Sequence, residues 1–333
     1  MSSNILRIFL SALSILFLIT SQSFAASYDG PVEKISGKHE IFFKCFEGVM
    51  YSAFTSSPSE GAFGAEITCE QIGEDLELNM FYKQIQFPNA TEDLNLGVYI
   101  IMDKFGKFKK VEPMIKHEDY DYKWRKASDM SEEELGDLSD ERYENLVQGV
   151  QMIARELLCL VEYKKKKSYK ANSIVVSQNL KQNLINGVYL EHFYENITKS
   201  QLNQWKNNIK NSKLPKLNFK LVGKINHDGR PAYLLNLKKK IQGASFAGYT
   251  IIDQKTGFGL LYKQQHKMGG EDQPGTYVAS FSSDENLRSK IERVGGEEKS
   301  NEVLKTNEPK IYLSDEERAK RINDFVQKHL SGL

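Results

Sequence analysis

The chain lacks an excess of charge of either sign. Over 333 residues it carries 45 Lys+Arg against 44 Asp+Glu. That balance speaks against a polyanion partner, because nucleic-acid binding normally shows a basic excess. Cysteine is also scarce, with three in all, Cys45, Cys69 and Cys159. No Cys-x-x-Cys occurs, so a thioredoxin-type redox site is not expected. The chain has no P-loop, because "GKF" and "GKI" lack the hydroxyl that would hold Mg²⁺. It has no His-Glu-x-x-His, and so no two-histidine helical zinc face. "GASFAG" (243–248) places its second Gly one residue too far for a nucleophile elbow at Ser245, and no Ser stands three residues before a Lys. No cofactor and no metal site are expected.

Long apolar runs are scarce too, with one exception at the start. "IFLSALSILFLIT" (Ile8–Thr20) follows Arg7 and precedes "SQSFA", a small-x-small ending at Ala25. This is the pattern of a secretory signal peptide. The run is short for a span, which needs about 20 residues. No Cys follows Ala25, which argues against lipid attachment there. Cleavage would remove Arg7 and no acid, leaving 44 of each sign. The expected product is exported, periplasmic in a bacterial host. In that setting an odd cysteine count leaves one thiol unpaired. Cys45 and Cys69 are the disulfide candidates, since both lie in one strand-rich segment.

What is present is mostly strand pattern. "HEIFFKCFEGVMYSAF" (39–54) is rich in aromatic and β-branched residues, "EITCEQI" and "LELNMFYKQI" flank a "GED" turn, and "LNLGVYIIMDKFGKFKKVEP" reads as strand, turn, strand. An acidic connector (127–140) leads into an amphipathic segment. Its 3.6-residue period predicts a helix over 140–163 with Tyr143, Leu146, Val147, Val150, Ile153, Ala154, Leu157 and Val161 on one stripe. "KKKK" (164–167) then suits the negative end of the helix dipole. Cys159 lies opposite the stripe, covered by a second layer.

The second half has a similar cadence. "SQLNQWKNNIKNS" predicts a short helix with Leu202, Trp205 and Ile209 inward. "LNFKLVGKINHDGRPAYLLNLKKKI" reads as a hairpin around "HDGR". "AGYTIIDQKTGFGLLYKQQHKM" reads as another, with Asp253, Lys255 and Thr256 in the bend before Gly257. A capped short helix is expected at 284–294, a polar linker beyond it, and a C-terminal helix opened by the capping box Ser314–Glu317.

The two halves also align. "GVYIIMDKFG" (97–106) over "GYTIIDQKTG" (248–257) matches at five of ten positions at a constant offset of 151. The expected fold is α+β. It comprises antiparallel curved sheets each packed with a helix, an internal duplication, and a C-terminal helix. The expected organisation is a signal peptide (1–25), a first strand-rich half (26–167), a second (168–296), and a linker with the terminal helix (297–333).

Residues of reactive type have plainer readings. "HEDYDYKWR" (117–125) offers His117, Glu118, Asp119 and Asp121 to a metal but lacks the Gly and distant Glu of an EF-hand, and reads as a solvated acidic loop. His192, three before Glu195, and His227, in a turn, read as structural. The basic runs 164–170 and 237–241 are able to touch anionic lipid, but read first as a solvated helix end and strand edge. Asn89 and Asn196 are glycosylation sequons if the host is eukaryotic.

"FKLVGKINHDGRPAYLLNL" followed by "GYTIIDQKTGFGLLYK" resembles exported bacterial sheet proteins of the lipoprotein-carrier type, over about residues 217–296. The resemblance rests on one turn Gly and one Asp-x-x-x-Gly. It implies a curved antiparallel sheet that wraps helices and is able to shelter acyl chains, and it carries over no functional residue. The expected function is therefore a non-enzymatic binding or envelope-maintenance protein, with an apolar ligand or an envelope protein as partner and at most peripheral membrane contact. A hydrolase assembled from separate strands around His117, His192 or His266, or a structural or adhesive module, are the alternatives.

Overall fold

The computed structural model describes residues 28–55, 62–85, 91–116, 123–131, 140–159, 162–166, 168–179, 181, 198–211, 216–241, 244–268, 271–281 and 289–290. The strands in chain order are β1 (Glu33–Lys34), β2 (Met50–Thr55), β3 (Ala62–Ile72), β4 (Asp75–Ile85), β5 (Thr91–Asp103), β6 (Phe108–Lys116) and β7 (Trp124–Lys126) from the first half. From the second come β8 (Ile174–Asn179), β9 (Lys216–His227), β10 (Arg230–Ile241), β11 (Ala244–Asp253), β12 (Gly259–Met268) and β13 (Glu271–Ser280). Beside the strands, the described residues include the α-helices α1 (Asp140–Leu157) and α2 (Lys199–Asn211).

All thirteen strands belong to one antiparallel sheet that does not close on itself. Its order is β1-β9-β10-β11-β12-β13-β2-β3-β4-β5-β6-β7, with β8 also paired to β9. Each half is a meander of hairpins, because short turns make antiparallel neighbours. At "GED", Gly73 has φ +61° and lets Ile72 face Asp75. At "HDGR", Asp228 and Gly229 both take positive φ, and His227 faces Arg230. Two consecutive positive φ values are what a type I′ hairpin turn requires. The halves pair at two places, β1 with β9 at one edge and β13 with β2 inside the sheet, for example Val278 with Ala53. The expected pair of sheets is therefore a single sheet. The expected short helix at 284–294 and the terminal helix lie outside the described residues, except for helical backbone at 289–290.

The sheet is strongly wrapped, and two hydrogen bonds measure it. Phe43 N–H donates to Lys104 O and Lys44 N–H to Thr256 O, each at 2.8 Å. Lys104 lies in the turn after β5, and Thr256 in the turn after β11. Those strands are six steps apart in the sheet order, which in a flat sheet is about 29 Å. Neighbouring residues reach both turns only if the sheet curls its two ends toward each other. The segment 40–49 was expected to be strand, from its aromatic and β-branched content. It has no regular structure, because its N–H groups are committed to two different turns instead of to one neighbouring strand.

The inner face holds one continuous core drawn from both halves. It includes Met50, Ile67, Leu78, Met80, Tyr82, Val98 and Ile100 from the first meander, and Phe219, Leu235, Ile252, Tyr262 and Tyr277 from the second. Helix α1 lies against it with Leu146, Val150, Ile153, Ala154 and Leu157 buried, and Tyr82 Oη donates to Val150 O at 2.8 Å. Burying side chains of this size stabilises the fold by about 1.5–3 kcal/mol each. A second buried cluster, with Ala53, Ala232, Leu234, Ile251 and Val278, occupies the other face of the central strands. In α2 the predicted residues Leu202, Trp205 and Ile209 are the buried ones.

Helix α1 ends earlier than its periodicity predicts. It stops at Leu157, and Cys159 sits at φ +63°. The Cys159 side chain packs against Gly259, where any Cβ would collide with it. Continuing the helix would break that contact. Lys164, Lys165 and Lys166 therefore do not cap α1. Strand β10 pairs with β9 only as far as Asn236, so "LKKKI" (237–241) is paired on one side alone, with β11, as expected of a strand edge.

Gly257 is the position where the wrap tolerates least change. Its φ is +77°, and an added Cβ would run into the carbonyl oxygen of Phe42. Gly37 has a similar φ of +79° but open space around it. Gly257→Ala is expected to lower stability by about 2–5 kcal/mol, strain plus collision, and Gly37→Ala by only about 1–2 kcal/mol. Urea unfolding of both variants checks the difference.

Candidate functional site

Two neighbouring regions gather polar side chains. The first is the junction where the two turns meet the segment 39–46. Asp253 is buried and saturated. Its Oδ2 accepts from Thr256 N–H (2.9 Å) and Thr256 Oγ1 (2.8 Å), and its Oδ1 meets Arg230 Nε at 3.1 Å. Asp103 does the same for the other turn. Its Oδ1 accepts from the N–H groups of Phe105 (2.9 Å) and Lys107 (3.0 Å), and Lys165 lies 3.0 Å from Oδ2. Burial would raise the Asp103 carboxyl, but these donors and the ammonium outweigh it and hold it below its ordinary value. Both aspartates thus act as turn locks.

Tyrosines tie the junction to the chain that crosses it. Tyr163 N–H donates to Phe105 O at 2.7 Å, and Tyr163 Oη donates to Gly257 O. Phe43 packs on Tyr163 and Phe258, both with ring centroids 4.9 Å apart. His39 pairs its backbone with Tyr169. The His39 ring lies 3.3 Å from Tyr233 Oη through Nδ1 and 3.0 Å from Ser36 O through Nε2. A cleft of about 10 Å³ opens here, lined in part by Glu40, Lys44, Tyr233 and Asp253. That is room for about one water.

The second region lies under the end of α1. Cys159 Sγ is 3.2 Å from Thr250 Oγ1, which itself donates to Leu261 O at 3.2 Å, so the thiol is the donor. Burial pushes the Cys159 thiol up to about 12, the nearby Glu156 charge adding to the effect. A thiol held protonated is a poor nucleophile and metal ligand. Tyr262 and Tyr277 are also buried here and raised well above their ordinary value; Tyr277 Oη donates to Gly259 O at 3.1 Å. Two oxygens in this interior are buried and without a hydrogen-bond partner, Glu156 Oε2 and Ser52 Oγ. Burial raises the Glu156 carboxyl from 4.5 to about 7. Its place in the last helical turn opposes ionisation further, since the dipole there is negative.

On the outer face of β4–β7, Tyr99 Oη donates to Glu77 Oε2 at 2.8 Å and Lys126 Nζ stands 3.4 Å above the Tyr99 ring. Burial and the Glu77 carboxylate push the phenol up to about 12. This is a cross-strand ladder that stabilises the sheet.

Cys45 and Cys69 are joined by a disulfide with Cα atoms 5.3 Å apart, and Cys159 is free and buried. His117 and His192 lie outside the described residues, as does the side chain of His266. Among the described residues no group of His, Cys, Asp and Glu is disposed to hold a metal ion. Sequence reasoning missed Glu156, whose only signal is an acid at the C-terminal end of an amphipathic helix, and the Tyr163 and Tyr169 bridges. No protein-family model matches the chain, and no curated protein matches it.

Glu156 has a measurable consequence. Its folded value of about 7 lies above its unfolded 4.5. The native state therefore holds the proton more tightly, and stability present below pH 4.5 is lost as pH rises to about 7. The loss is on the order of 3 kcal/mol at 1.36 kcal/mol per pH unit. Glu156→Gln is expected to be flatter than wild type by that amount between pH 4.5 and 7, read by urea unfolding at several pH values.

Proposed function

We propose that this is an exported, non-enzymatic binding or envelope-maintenance protein, periplasmic in a bacterial host. The observation that carries the reading is the wrapped sheet whose apolar inner face is shared by both halves and covered by one amphipathic helix. Such a face suits an apolar ligand or an apolar partner segment that takes the place of covering side chains. The two unpartnered oxygens of Glu156 and Ser52 in that interior suit a ligand that also brings a hydrogen-bond donor.

Three further points support the reading. The groups that look most reactive are committed elsewhere, with both turn aspartates saturated and the Cys159 thiol protonated. The Cys45–Cys69 disulfide fits an oxidising compartment. The uncharged run after Arg7 supplies the means of export.

Native mass spectrometry of the protein purified from its own host tests this. The expected spectrum contains a bound apolar molecule or partner that is released on unfolding. Alkylation of the unfolded, unreduced chain is expected to modify one cysteine only, Cys159. A ligand-free spectrum, together with three alkylated cysteines, contradicts both binding and export.

A further inference from the structure

We propose that the end of the wrapped sheet where the two turns meet is a basic face that docks on an anionic phospholipid bilayer. Four separate stretches converge there through backbone hydrogen bonds. Residues 41–44 bond to the turn 103–107 through Phe43 N–H and to the turn 253–257 through Lys44 N–H, and residues 162–166 bond to the turn 103–107 through Tyr163 N–H. These stretches hold seven lysines and three acids, and the neighbouring Glu40, exposed at the same cleft, makes a fourth. Three of the acids are already matched: Asp103 by Lys165, Glu162 by Arg155 at 3.7 Å, and Asp253 by Arg230. Only Lys165 of the seven is used in doing so. Lys44, Lys107, Lys165, Lys166 and Lys255 are exposed. The excess is local, since the whole chain is near neutral, so attraction to an anionic surface would also orient the molecule.

The occupant follows from shape and chemistry. The lysines come from four stretches and spread over one end of the sheet, and the cleft among them has room for only about one water. Exposed cations spread over four stretches, with no cradle among them, suit a surface and not a single small anion. Half-buried Phe42 and Phe105 lie beneath Lys44 (4.8 Å) and Lys104 (5.9 Å). Aromatic rings beside lysines are at home at the headgroup level of a bilayer. The lysines at 164–166 are also released from the simplest structural explanation, because α1 ends at Leu157.

The test is co-sedimentation of the protein, purified from its own host, with phosphatidylcholine vesicles with and without phosphatidylglycerol. The expected result is binding to the anionic vesicles only, weakening as salt rises. At roughly fivefold per lysine, the quadruple variant Lys44→Glu, Lys107→Glu, Lys166→Glu, Lys255→Glu should bind at least several hundredfold more weakly. Its circular dichroism and unfolding midpoint should match wild type, because these side chains are exposed. A control with Lys216→Glu and Lys220→Glu, toward the other end of β9, should bind as wild type does. Failure of the wild type to bind anionic vesicles at low salt, equal binding to neutral vesicles, an unaffected quadruple variant, or capture by polyglutamate without vesicle binding would each overturn the proposal. None of these outcomes depends on the inner-face ligand.

Discussion

Two backbone hydrogen bonds, from the neighbouring N–H groups of Phe43 and Lys44 to the turns at Lys104 and Thr256, set the shape of this molecule. Each alone contributes about a kcal/mol. Together they require that turns six strands apart come within reach of one dipeptide. Everything else follows from that constraint. The inner face becomes a concavity with one core, Phe43 fills its end against Tyr163 and Phe258, and Gly257 admits no side chain because the Phe42 carbonyl lies against it. The two aspartates hold the turns in the form that presents Lys104 O and Thr256 O to the crossing segment.

The same constraint explains the polar interior. The end of α1 is pressed against β11 and β12, so that Cys159 meets Thr250 and Gly259 and the Oε2 atom of the partly buried Glu156 is shut off from water. A buried carboxyl oxygen without a partner costs about 1–3 kcal/mol. In a protein whose tyrosines Tyr82, Tyr163, Tyr169 and Tyr277 all donate to backbone carbonyls, an unmatched oxygen stands out. It is the feature that most favours binding over a purely structural role.

Local features were legible in the sequence and the closure was not. "HDGR" and "GED" read as turns because Gly and Asp supply the backbone angles those turns need. Leu202, Trp205 and Ile209 read as a buried stripe because their spacing is helical. The turns ending at Gly106 and Gly257 were visible as a pair, and the structure places both on one crossing segment, though it does not show that they arose by duplication. The pairing of β13 with β2 joins residues more than 200 apart in sequence, and no local pattern encodes it. Strand β8 was missed, being a short run after a lysine-rich stretch. The segment 40–49 misled, because its aromatic residues serve a plug and not a strand. Helix α1 was drawn too long, since periodicity does not register the collision at Gly259.

The central claim is that the crossing segment holds both turns at once. Hydrogen exchange read by mass spectrometry, on the wild type and on Lys44→Pro, tests it most directly, because proline removes the N–H that reaches Thr256 while the exposed lysine side chain contributes nothing inside. The account predicts that protection falls together in Asp103–Lys107 and in Asp253–Phe258. A loss confined to one turn, or no loss in either, would contradict it.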